Sequence, residues 1–222
     1  MIEARMTDPD PKQVLRYLGY RGQDMQTGIA WQIQKGIRTV GEIAAPRLVW
    51  RRLPVWNGEI SGLPAKGQEI RDLLMPCREA VVMAATLGTQ VEQMLMRLKV
   101  TDMADAVILD ACASAAAEKV CDCFEEDLGS RIEAEGLFLT CRLCPGYGDF
   151  PVGTQTALCR LLDTGRRIGL TVTDSQILIP RKSVTAVYGV AKEPQQPCGS
   201  GCGSCSMSGR CPYSEDEDRR RE

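Results

Sequence analysis

The sequence predicts an α+β fold, a twisted and mainly antiparallel sheet flanked by long helices, and three observations carry that reading. Residues 170–180 and 183–190 read as strands that share the segment 180–183, which makes them an antiparallel pair. Residues 47–55 and 60–63 flank Asn57 and Gly58, a strong turn signal for a hairpin. Long helical patterns lie among these strands, an order that does not suit a doubly wound parallel sheet.

Taken in order, residues 12–20 read as a short helix after Pro11. A longer helix over 23–43 places Ile29, Ile33, Ile37 and Val40 on one face, and Pro46 stops it. The hairpin follows, then a helix over 67–76 that ends at Pro76. Residues 79–88 form a buried strand running into Gly88, with Thr89 as N-cap of a helix through Leu98. Asp102 opens a helix reaching Ala134, with Gly129 as an interruption within it. Its apolar stripe is Met103, Val107, Ala111, Ala117, Cys121, Phe124 and Leu128. Residues 111–117 are almost all small, so something packs very near this backbone. Residues 137–141 read as a short strand and 154–167 as a helix. From residue 193 the composition turns to Pro, Gly, Ser and Cys and then to charge, which predicts a flexible tail. The expected organisation is an N-terminal helical and hairpin region (1–76) packed on a main domain (77–192), with a Cys-rich tail (193–222).

The overall balance limits function. A net charge of −2 over 222 residues argues against nucleic acid as a partner. No apolar run approaches the roughly 20 residues that span a bilayer, so no membrane role is expected. The polar, acidic N-terminus does not read as a signal peptide, and the expected location is cytoplasmic. Histidine is absent, which excludes a histidine base, metal ligand or nucleophile activator. Seven of the eleven cysteines are scattered, several beside alanines as small apolar fillers, and four crowd the tail.

The stretch 142–151 is the turn after a strand and before a helix, where chains commonly place binding groups. Arg142 offers a fork of donors for a carboxylate or phosphate, and Tyr147 a ring face and a hydroxyl. Gly146 and Gly148 let backbone approach a ligand or take positive φ. The competing reading is a tight turn with a surface arginine. On the long helix, Ser114 and Glu118 either reach this turn or face solvent with the other polar side chains.

Arg142, Pro145, Gly146 and Tyr147 match the Arg-x-x-Pro-Gly-Tyr motif of the activation domain of cobalamin-dependent methionine synthase, which the chain resembles. Ser175, Pro180, Ser183, Val184 and Tyr188 match a second motif of that family, and Ala117 with Glu118 a third place. The resemblance covers roughly residues 79–190. It differs from the family in its first 60 or so residues and in its tail, and it looks like a free-standing form. The resemblance implies an activation-domain fold whose core, 77–192, binds S-adenosylmethionine. It implies reductive methylation of a Co(II) corrinoid on a separate methyltransferase, with a flavodoxin- or ferredoxin-type electron donor. It also implies roles for particular residues. Arg142 would take the ligand carboxylate, and backbone around Cys144, Pro145 and Gly146 the adenine. Tyr147 and Tyr188 would face the sulfonium, with Glu118 on the sulfonium or amino group and Ser114 nearby. Without histidine the chain would not carry the corrinoid itself. The alternatives are a non-catalytic S-adenosylmethionine-sensing or corrinoid-docking module, or a methyltransferase acting on another nucleophile. Separately, Cys198, Cys202, Cys205 and Cys211 are a candidate set for zinc or an iron–sulfur cluster, or else free thiols of a flexible tail.

Overall fold

The computed structural model describes residues 2–20 and 27–195. In chain order the elements are β1 (Ile2–Glu3), α1 (Pro11–Tyr17), α2 (Thr27–Ile43), β2 (Arg47–Trp56), β3 (Glu59–Ile60), α3 (Gln68–Leu74), β4 (Cys77–Thr86) and α4 (Thr89–Thr101). They continue with α5 (Met103–Ala134), β5 (Phe138–Leu139), α6 (Thr154–Leu162), α7 (Thr164–Ile168), β6 (Thr171–Val172), β7 (Leu178–Ile179) and β8 (Ser183–Ala191). The fold is α+β, and its sheet is antiparallel in the order β1-β2-β4-β8-β5, with β3 turned back on β2. The sheet draws β1, β2 and β3 from the first 76 residues and β4, β5 and β8 from beyond them, so its hydrogen bonds cross that point.

Burial explains the strand sequences. Along β4, Val81, Met83 and Ala85 enter one apolar cluster while Ala80, Val82 and Ala84 enter another. A strand covered on both faces needs an apolar residue at every position, and 79–86 supplies one almost throughout. The first cluster packs α1, α2, α4 and α5 on one face; the second packs α3, α6 and α7 on the other.

The 32-residue α5 is the spine of the first layer. Its small stretch 111–117 is explained by α2: a Cβ on Gly36 would lie 2.8 Å from the Sγ of Cys112. The neighbour pressed against this backbone is therefore a helix. Asp102 caps α5 by accepting from the Asp105 N–H at 3.0 Å. Gly129 does not interrupt it, and Met103 and Val107 of the predicted stripe are exposed.

Three local expectations differ from the structure. The segment 170–180 does not pair with β8; it folds into its own hairpin of β6 and β7. One edge of β8 pairs with β4 along its length, while the other is held by β5, Thr140 and Leu143 only over 187–191. The Thr173 N–H donates to Ile177 O and the Ile177 N–H to the Thr173 hydroxyl, and with Gln176 at φ +63° these bonds reverse the segment on itself. The helix predicted over 154–167 is split by Asp163 in the left-handed region. Gly88, not Thr89, holds the N-cap of α4, without a side-chain bond.

Buried thiols give the fold a pH dependence. Burial pushes Cys77 and Cys112 from 9.0 up to about 11. The unfolded chain therefore releases these protons first as pH rises. Their contribution is fully present below about pH 9 and is lost as pH climbs through 11. Thermal midpoints under reductant should fall between pH 8 and pH 10.5; a flat profile would contradict this.

Candidate functional site

The turn after β5 is built by short backbone bonds. Leu143 and Val187 exchange N–H···O bonds at 2.9 Å, tying the turn to β8. Gly146 donates to Phe150 O at 2.7 Å, and Phe150 to Tyr147 O at 3.0 Å. Gly146 sits at φ +98°, a conformation glycine tolerates best. Phe150 is buried in the second apolar cluster and Pro145 is also buried, which leaves Tyr147 standing out at 66% exposure. Asp149 accepts from the N–H groups of Gln68 and Glu69, so the turn caps the start of α3. Asp149→Ala should cost about 1 kcal/mol of stability, the usual value of a lost cap, read from urea midpoints. An unchanged midpoint would show that the cap contributes nothing.

Arg142 projects from this turn onto α5. Its Nη2 donates to Glu118 at 2.9 Å and to Asp122 at 3.2 Å, and Nη1 lies 3.9 Å from Glu125. Glu118, Asp122 and Glu125 stand at i, i+4 and i+7, one face of the helix. Burial works against the Arg142 charge, but the neighbouring Cys121, Tyr188, Glu118 and Cys144 outweigh it and its pKa rises further. Burial raises the Glu125 carboxyl, with Arg142 opposing.

Tyr188 reaches the same place from the sheet. It is fully buried in the first apolar cluster, edge-on to Phe124 with ring centroids 6.2 Å apart. Burial raises its pKa, with Arg142, Glu125, Cys121 and Cys144 as its electrostatic neighbours. Its hydroxyl and Nη1 of Arg142 are buried without a hydrogen-bond partner among the described residues. Buried polar atoms are rarely left so; the other case among the described residues is Nε of Arg52, in the Glu79–Glu135 ion pairs.

The sequence-derived residues therefore fall into three groups. Arg142, Glu118, Cys144 and Tyr188 converge, with Pro145, Gly146 and Tyr147 on the turn that carries them. Ser114 lies one turn earlier on α5 with other partners: it accepts from Lys182 at 2.8 Å and donates to Asp110 O at 3.0 Å. Cys198, Cys202, Cys205 and Cys211 lie outside the described residues, among which no group of three or more potential ligands is arranged to hold a metal.

Sequence reasoning missed Asp122, Glu125 and Tyr17. The two acids were legible as part of the i, i+4, i+7 series. Tyr17 was not, because nothing local connects the end of α1 to residue 118. α1 packs its buried Val14 into the first cluster beside α5, and the chain before it is anchored by Arg5 to Glu126 and Asp127. The Tyr17 ring is half-exposed, and burial, then the charges of Glu118 and Tyr147, lift its hydroxyl to about 12.

Fold and cluster together define an α+β domain with an antiparallel sheet between two helical layers and an arginine-centred acidic site at its long helix. Among solved structures, the crystal structure of the MetH reactivation domain bound to AdoHcy is similar, at a TM-score of 0.58 and 14% identity over 87% of this chain and 80% of that one. The chain thus shares the fold of that domain, as the sequence resemblance implied. No protein-family model and no curated protein matches it. No helix among the described residues is long and apolar enough to cross a membrane.

Proposed function

We propose that this chain binds S-adenosylmethionine at the Arg142 cluster and supports reductive methylation of a cobalamin-dependent methyltransferase such as methionine synthase. What most supports the reading is that Arg142, Glu118 and Tyr188, distant in sequence, meet with an unpartnered phenol hydroxyl. The fold is shared with a domain crystallised with AdoHcy, the product left when S-adenosylmethionine loses its methyl group.

In this reading the ligand carboxylate displaces one carboxylate from Arg142, and Glu118 turns to the ligand's ammonium. Backbone near Cys144, Pro145 and Gly146 lines the adenine, Tyr147 faces the sulfonium, and Ser114 borders the site one turn away. The Tyr188 hydroxyl gains an acceptor. The protein positions; the bond-making belongs to the cofactors. One electron from a flavodoxin- or ferredoxin-type donor takes Co(II) to Co(I). The Co(I) electron pair then accepts the methyl group, leaving a neutral thioether and methyl-Co(III). The corrinoid stays on the partner protein, and the reaction is cytoplasmic. The tail cysteines hold zinc or an iron–sulfur cluster; equal metal content in a chain ending at Lys192 would dismiss that part.

The test is anaerobic absorption spectroscopy of this protein with a Co(II) corrinoid methyltransferase, reduced flavodoxin and S-adenosylmethionine. Methyl-Co(III) absorption should grow only when all four are present. A Co(II) spectrum unchanged by this protein would reject the role.

A further inference from the structure

Arg142 is surrounded by negative charge before any ligand arrives. Three carboxylates, Glu118, Asp122 and Glu125, lie within 3.9 Å of it. Even counting Arg16, the cation that acts on Tyr17 from α1, carboxylates outnumber guanidinium groups here. All three acids are only partly exposed, at 30%, 40% and 39%, so solvent screens them incompletely. Such a field is poorly suited to a lone anion and well suited to a cation. The fully buried Tyr188, whose ring meets Phe124 beside Glu125, whose neighbour Val187 pairs with Leu143 beside Arg142, and whose hydroxyl has no partner, points independently to a ligand at this spot. The exposed face of Tyr147 adds a surface that favours positive charge.

We propose that Asp122 and Glu125, acting with Glu118, make this site selective for positive charge on sulfur, so that it holds a sulfonium more tightly than the matching neutral thioether. The inference rests on the S-adenosylmethionine reading and adds its direction. S-adenosylmethionine and S-adenosylhomocysteine share carboxylate, ammonium, ribose and adenine, and differ by one methyl group and one charge. Arg142, Tyr188 and the backbone contacts serve both. The surplus carboxylates serve only the charged form. Methyl transfer would then weaken the grip on the product as it forms and favour its release. Asp122 and Glu125 are thus specificity residues and not catalytic ones.

Isothermal titration of the full chain with each compound tests this. The wild-type chain should prefer S-adenosylmethionine by about tenfold or more, the scale of a unit charge near partly screened carboxylates. Glu125→Gln, whose carboxylate makes no hydrogen bond to Arg142, should erode that preference at least threefold with S-adenosylhomocysteine affinity unchanged. The Asp122→Asn, Glu125→Gln double variant should remove most of it. Equal wild-type affinities, or variants that weaken both compounds equally, would overturn the selectivity while leaving the binding reading standing. Failure of the wild-type chain to bind either compound would overturn both.

Discussion

Arg142→Ala should weaken S-adenosylmethionine binding at least about tenfold, the cost of losing one charge-assisted contact to the ligand carboxylate. It should also lower stability, because Glu118, Asp122 and Glu125 would face one another with no cation between them. All three keep some contact with water, so the penalty is moderated to about 1–2 kcal/mol. Arg142→Lys separates the two effects. An ammonium restores charge but not the planar fork that holds Glu118 and Asp122 together. Lysine should therefore recover most of the stability and little of the binding. Calorimetric affinity and thermal midpoint on both variants check this; full binding by Arg142→Ala would remove the arginine from the ligand contacts.

Tyr188→Ala should cost about 3–5 kcal/mol, the usual price of emptying a core aromatic position. The ring is fully buried between β8 and α5 and stacks edge-on with Phe124, which in turn meets Trp50 at 6.0 Å. Tyr188→Phe keeps that packing and removes only the hydroxyl. Since the hydroxyl has no partner, its loss should stabilise the ligand-free chain by about 1 kcal/mol. The same substitution should reduce S-adenosylmethionine affinity several-fold. Opposite signs for stability and binding are what a group held ready for a ligand produces, and a purely structural tyrosine would not give them. Urea unfolding with and without ligand measures both; a destabilised Tyr188→Phe would show that the hydroxyl already has a partner.

Much of this was legible in the chain itself, for identifiable reasons. Ile33, Ile37 and Val40 marked the buried face of α2 through helical spacing, and the unbroken apolar run of β4 marked a strand covered on both faces. Arg142 entered through the chemistry of the turn and again through the motif resemblance, Tyr188 through the resemblance, and the pairing of Leu143 with Val187 sets their segments side by side. The pairing of 170–180 was misread because apolar alternation marks a strand without naming its partner, and the segment reverses on itself at Gln176. The Asp163 break was hidden because a single left-handed residue barely disturbs helical periodicity. Tyr17 was out of reach because its relation to Glu118 arises only when α1 packs beside α5. Local pattern carried the elements; long-range packing completed the site.

The most direct measurement of the central claim is a crystal structure of this chain grown with S-adenosylmethionine. The account predicts the ligand carboxylate on the Arg142 guanidinium, the Tyr188 hydroxyl within hydrogen-bond reach of the ligand, and at least one of Glu118 and Asp122 released from the arginine. A ligand bound elsewhere, with Arg142 still paired to both acids and Tyr188 untouched, would contradict it.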